Sequence, residues 1–278
     1  MYMITTLKRF TAVSLTAIVI SSVLINCTAV PYCINRSESN RVSSHDSPLI
    51  VRQPDEICVH SLSAGMAVVH IIETATSLYV IDAGWPGNQQ HLYKKIRELK
   101  KPVRFIFITH GHFDHYGSAA ALRRLTGAPI LIHEADAGAM AHAKSFLGHI
   151  RSLGYFAAMM LPVGELILRP EHTRADIVLK GGERLDKFGL DAVVIHIPGH
   201  TPGSCCLLIN DSIAFVGDMI SRGPSPYSQR YFASNWNMVA QSLETLKRIS
   251  PLLSFYGHGK EPITRTQLFK LRPYLPKE

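Results

Sequence analysis

The chain has 278 residues, 46% apolar and 18% charged. That composition fits one large globular domain or two small ones and excludes a disordered or fibrous chain. Its net charge is +8, but the basic residues are scattered and no run of them interleaves with aromatics. A nucleic-acid partner is therefore not expected.

The first element is an unusual N-terminus. Lys8-Arg9 precede the uncharged, apolar stretch Phe10 to Ile25, which matches the basic and apolar regions of an export signal. The stretch is on the short side for a spanning helix, which needs about 20 residues. Residues 1–27 are thus expected to be a signal peptide or membrane anchor. Leu24-Ile25-Asn26-Cys27 resembles a lipoprotein cleavage box, with Asn26 departing from the usual small residue, so Cys27 is a candidate for lipidation. The expected location is exported, in the cell envelope or periplasm, with membrane attachment through the N-terminus as one form of it. Residues 28–47 are polar and read as a tether, leaving 48–278 as the folded domain. In an exported protein Cys33 and Cys58 could pair. Cys205 and Cys206 sit in an apolar run and read as small core residues; no CxxC spacing suggests a thiolate zinc site.

From Ile50 onward short apolar strands alternate with helical patterns. Strands are predicted at Ala67–Ile72 and Ser77–Ile81, followed by a helix over Asn88–Leu99, a strand at Val103–Ile108, a helix at Gly117–Leu125 and a strand at Pro129–His133. Residues 135–180 break the alternation. They lack a clear strand pattern and are rich in Met and aromatics, which suits either a lid over the site or a hairpin packed on the core. Strands follow at Ala192–Ile197, Cys205–Ile209 and Ser212–Val216. A helix at Asn237–Ile249 and a strand at Leu252–Tyr256 complete the pattern. Mixed strands and helices throughout predict an α/β layered fold.

The chemistry sits where the strands end. Asp82 follows Val80-Ile81. His110, His112, Asp114 and His115 follow Phe107-Ile108 in Thr-His-Gly-His-Phe-Asp-His. His200, Asp218 and His258 each follow an apolar run closed by glycine. Imidazole and carboxylate are the usual ligands for zinc and other borderline first-row metals. One histidine after a strand is commonly structural, but five such stations in one chain point to a metal site.

With those motifs in this order, the chain from about Ile50 onward resembles the metallo-β-lactamase fold superfamily, which includes glyoxalase II and acyl-homoserine lactonases. The resemblance implies a four-layer αββα sandwich. It implies that His110, His112 and His200 hold one metal, that Asp114, His115 and His258 hold a second, and that Asp218 bridges them. Asp82 would support the metal loop without ligating. Two zinc ions are the expected cofactor, with iron or manganese as alternatives. The implied activity is hydrolysis of a small-molecule ester, lactone or thioester by a metal-bridging hydroxide, with Asp114 orienting the nucleophile and taking its proton.

Several departures narrow this reading. Metallo-β-lactamases themselves generally lack a bridging aspartate, so Asp218 counts against β-lactam hydrolysis. His112 stands where flavo-diiron proteins have glutamate. Gly259–Glu278 is too short for the helical domain with which glyoxalase II binds glutathione, so that domain is not expected. A mononuclear iron persulfide dioxygenase uses similar motifs and is the alternative activity. The intact set of donors argues against a non-catalytic binding protein. Tyr227, Tyr231 and His149 are the candidate substrate-binding residues, the tyrosines as polar groups over the pocket and His149 through its place in the insert.

Overall fold

Strand Ala67–Glu73 is buried along its whole length. A strand buried on both faces needs a layer on each side, and its residues divide accordingly. Ile72 joins a central apolar cluster, whereas Val69 and Ile71 join a second cluster under helices. The computed structural model describes residues 31–35, 43–44, 56–151, 154–221 and 227–273. The expected export signal and Cys27 lie outside them.

The central cluster joins two sheets face to face. Ile57, Tyr79, Phe105, Phe107 and Leu131 from the first meet Val194, Leu207, Phe215 and Phe255 from the second. Helices Gln89–Leu99 and Ala119–Thr126 cover the outer face of the first sheet through Leu92, Ile96 and Leu122. Helices Trp236–Ile249 and Arg265–Lys270 cover the second through Val239, Leu243, Leu246 and Leu268. The layers run helix, sheet, sheet, helix, as the α/β pattern required. The Trp236–Ile249 helix starts where the Asn235 side chain accepts from the N–H groups of Asn237 and Met238, a cap worth about 1 kcal/mol.

Sheet topology explains where the ligand loops fall. The first sheet runs in the order Ser43–Ser44, Tyr32–Asn35, Glu56–Ala64, Ala67–Glu73, Leu78–Ile81, Val103–Phe107, Ile130–His133, Ile177–Leu179. Leu78–Ile81 and Val103–Phe107 are parallel, so Asp82 and the His110 loop leave at one edge. In the second sheet Ile213–Phe215 and Leu253–Phe255 are also parallel, so Asp218 and His258 leave together. Parallel neighbours bring their carboxyl ends to the same edge, where α/β folds place ligands.

Two expectations need revision. Tyr32–Asn35 lies within the expected tether, yet it pairs with Glu56–Ala64 and is linked to it by the Cys33–Cys58 disulfide. The folded sheet therefore reaches back into that stretch. The 135–180 segment does contain a sheet strand, Ile177–Leu179, parallel to Ile130–His133. At three residues it is too short to show a periodicity. Helices Glu134–His142 and Gly154–Leu168 make up most of the rest.

Candidate metal centre

The seven expected ligands meet at this sheet edge. His110 Nε2 lies 3.0 Å from His112 Nδ1, which lies 3.1 Å from His200 Nε2. On the other side, His258 Nε2 is 3.0 Å from Asp218 Oδ2, and Asp114 Oδ2 is 3.7 Å from the Nε2 atoms of both His115 and His258. Asp218 stands between the groups: its Oδ1 is 3.4 Å from His115 Nε2 and its Oδ2 is 3.6 Å from His200 Nε2. His110, His112 and His200 form one cluster with metal-ligand spacing, Asp114, His115 and His258 another, and His110, His115 and Asp218 a third that joins them.

What holds each ring decides which nitrogen faces inward. The His115 Nδ1–H donates to Asp82 Oδ2 at 2.8 Å. The Thr109 hydroxyl donates to Asp82 and accepts from His110 Nδ1 at 3.0 Å. Carbonyl oxygens face the remaining ring nitrogens: Met66 at 2.9 Å from His258 Nδ1, Phe146 at 2.7 Å from His112 Nε2, and Phe232 at 3.1 Å from His200 Nδ1, which the Gln229 amide nitrogen also approaches at 3.0 Å. Four imidazoles thus offer Nε2 and His112 offers Nδ1. Partners of this kind fix the tautomer and the ring orientation of metal-binding histidines.

The donor set fits a cation by a test internal to the structure. The nitrogens of His110, His112 and His200 converge at hydrogen-bond distance, although the other nitrogen of each ring already has a partner elsewhere. Nitrogen lone pairs at this distance repel one another unless a cation takes them. His115 Nε2 and Asp218 Oδ1 are buried with no hydrogen-bond partner, an arrangement that costs free energy unless something satisfies them. Five imidazoles and two carboxylates suit zinc, iron or manganese, and no thiolate takes part.

Electrostatics differ across the centre. Burial, reinforced by neighbouring imidazoles, holds His110 well below its ordinary pKa and His200 down at about 3. Burial also acts to lower His115 and His258, but adjacent carboxylates overcome it. Asp114, Asp82 and Asp218 bring His115 to about 9, and Asp218 and Asp114 bring His258 to about 10. Burial opposes ionisation of Asp218 too, yet His258 and His115 keep it well below the usual carboxylate range. The half of the centre with carboxylates draws positive charge, whether proton or metal, whereas burial disfavours a proton on His110 and His200.

The backbone is shaped for the site. Asp82 has φ 63°, a left-handed conformation that non-glycine residues seldom adopt; the bonds from its carboxylate to Thr109 and His115 hold it there. A Cβ on Gly257 would fall 2.3 Å from Asp218 Oδ1, so only glycine lets the His258 loop pass this close.

Sequence reasoning missed one central residue. Asp136 is 3% exposed. It accepts from the Gly111 N–H at 2.7 Å, the Thr201 hydroxyl at 2.5 Å and the Gly203 N–H at 2.9 Å. It thereby ties the loop of His110 and His112 to the loop of His200. Its one visible signal was that it too is an acid just after a strand, Ile130–His133. The 135–180 segment also enters the site through the Phe146 carbonyl on His112 and through Ser145 Oγ, which accepts from the Phe113 N–H at 3.0 Å.

Two of the three candidate substrate residues, Tyr227 and His149, lie on two-residue strands. Tyr227 is exposed beneath the Arg230 guanidinium, and the Tyr231 hydroxyl is 3.4 Å from Arg230 Nη2. His149 is exposed in the short strand His149–Ile150, which pairs with Phe232–Ala233 beside His200. His70, which carried no signal in the sequence, is buried and within hydrogen-bond reach of Ser61 Oγ at 2.9 Å and the Tyr256 carbonyl at 3.3 Å. His133 and His196 stack with ring centroids 4.0 Å apart. Cys205 and Cys206 are buried, as expected of core residues.

Comparison with known proteins agrees with this fold. The family model of the metallo-beta-lactamase superfamily matches residues 62–258. YobT of Bacillus subtilis is 27% identical over 203 residues, 69% of this chain and 82% of that protein. A hydroxyacylglutathione hydrolase of Shewanella halifaxensis is 27% identical over 63% of this chain and 53% of its own length. Hydroxyacylglutathione hydrolase GloC of Haemophilus influenzae is 31% identical over 52% of this chain and 61% of its own. Among solved structures, BLEG-1 B3 metallo-beta-lactamase superposes with TM-score 0.61 at 20% identity, covering 79% of this chain and all of that one, 100%. A di-iron-bound form of TTHA1623 superposes with TM-score 0.59 at 24% identity, covering 78% and 99%. The chain belongs to the metallo-beta-lactamase superfamily.

Proposed function

We propose that the protein is a binuclear metal hydrolase that cleaves an ester, lactone or thioester of a small molecule. The observation that carries this reading is the placement of Asp218, whose two oxygens face ligand nitrogens of both clusters. His110, His112 and His200 would hold one ion, Asp114, His115 and His258 the other, and Asp218 both. Zinc is the ion we propose. When bound, such ions supply Lewis acidity and lower the pKa of water to near ~7.

The chain's own residues do the rest. Asp114 is 8% exposed, and its carboxylate shares the Nε2 atoms of His115 and His258; it is the group placed to orient an attacking water and accept its proton. Asp82 and the carbonyls of Phe146, Phe232 and Met66 hold the rings without reorganisation during turnover. The relatives named hydroxyacylglutathione hydrolase support a thioester among the substrate classes. We further propose that the protein works in an oxidising compartment of the cell envelope. The Cys33–Cys58 disulfide and the apolar Phe10–Ile25 stretch support this.

The test is elemental analysis of the purified protein beside an ester, lactone and thioester panel. We expect two ions per chain and hydrolysis of at least one class. His112→Ala and Asp218→Asn should each lower metal content and hydrolysis together, the latter by at least about 100-fold. One iron per chain with oxygen uptake on a persulfide and no hydrolysis would replace this reading with that of a mononuclear dioxygenase.

A further inference from the structure

Helix Gly154–Leu168 has an apolar face that no described residue of the chain covers. Tyr155 is 66% exposed, Met159 58%, Leu166 73% and Ile167 69%. With Val163 these recur every three to four residues and so form one stripe. Glu165 is the helix's one charged residue, and it is turned inward to accept from the Ser145 N–H at 2.7 Å. The opposite side of the helix is seated on the domain: Leu161 and Leu168 pack on the outer core, and Gly164 lies against the Phe113 ring. An outward stripe of large apolar side chains on a helix this well seated marks an interaction surface.

The charges around the stripe favour one kind of partner. Arg169 follows the helix and is exposed, as are Lys144 and Arg174 nearby in the chain; Arg151, which precedes it, lies over the Trp236 ring. The acid that follows, Glu171, is engaged by both Nη atoms of Arg124, at 2.6 and 2.8 Å. The sequence flanking the helix is therefore basic in balance. Two copies of this face would bring like charges together, whereas an anionic lipid surface would complement them. An apolar helix face with basic flanks and little internal charge is the pattern of a helix lying in the plane of a membrane interface.

We propose that the Gly154–Leu168 helix docks on a bilayer containing anionic phospholipid, with its stripe entering the headgroup boundary. This is separate from any attachment through the N-terminus and does not depend on the hydrolase reading. Docking would bring the bilayer beside the metal centre, because the segment that carries the helix also supplies the Phe146 carbonyl to His112.

The test uses the full chain with Leu166→Trp, read against the parent to subtract Trp85 and Trp236. Vesicles of phosphatidylglycerol and phosphatidylcholine carrying bromine near the headgroup should quench the introduced tryptophan and shift its emission to the blue, more strongly than vesicles of phosphatidylcholine alone. Adding Met159→Glu and Ile167→Glu should abolish both effects while leaving metal content at the parent level, which shows that the domain remains folded. Vesicle-bound protein whose introduced tryptophan is not quenched would overturn the proposal. So would a blue shift that rises with protein concentration in the absence of vesicles, together with a doubled mass in light scattering, because the face would then belong to a second copy.

Discussion

At the scale of single residues, the centre depends on groups that never touch an ion. Asp136 is the clearest case, since one buried carboxylate accepts from both histidine loops. Asp136→Asn keeps the volume, but an amide offers one accepting oxygen where the carboxylate offers two. Whichever way the amide turns, its NH2 group faces one loop's backbone N–H, that of Gly203 at Oδ1 or that of Gly111 at Oδ2, and that contact is lost. We expect metal affinity at the His110, His112 and His200 cluster to fall about 10- to 100-fold, read by competition with a chelator. An unchanged affinity would show that the loops hold themselves. The seven candidate ligands, which the fold brings together, were legible in the sequence because few residue types can bind a metal and all follow a strand. Asp136 was not. Its partners lie 25, 65 and 67 residues away, and its neighbours form an alanine-rich helix that carries no chemical signal.

At the scale of elements, the strands were readable where they were long and buried, as in Ala67–Glu73 and Cys205–Ile209. They were unreadable where a strand of three or four residues is too short to show a periodicity. Tyr32–Asn35 is such a strand, and its polar surroundings read as tether. Its register sets Cys33 directly against Cys58, so the disulfide fastens a strand whose Tyr32 and Ile34 are only partly buried against the central cluster. Replacing both cysteines with alanine should cost about 2–4 kcal/mol of stability while leaving metal content unchanged, as a denaturant titration and elemental analysis would show. The 135–180 segment was ambiguous for a related reason. Its apolar residues were visible, but sequence could not say which faced the core. The structure divides them, with Met140 buried and Leu166 exposed.

At the scale of the whole molecule, the two sheets also meet through polar contacts. His70, on a strand of the first sheet, reaches the Tyr256 carbonyl beside the His258 loop, and burial lowers its pKa to about 4. A histidine that is neutral when folded and ordinary when unfolded binds its proton preferentially in the unfolded chain. Its contribution to stability is complete above pH 6.5 and is lost as pH falls from there through about 4. The full loss is about 3 kcal/mol. Denaturant midpoints across this range should fall more steeply in the parent than in His70→Gln; parallel profiles would assign the acid sensitivity to other groups.

The division of ligands between sheets has one more consequence. His110, His112, Asp114 and His115 leave the first sheet, while His200, Asp218 and His258 leave the second. An ion held by both groups is a cross-link that appears only after the halves have met correctly. Such binding selects the folded chain over the unfolded one and adds about 4 kcal/mol when free metal exceeds its dissociation constant a thousandfold. Metal supply would then set how long each copy survives proteolysis as well as how fast it turns over.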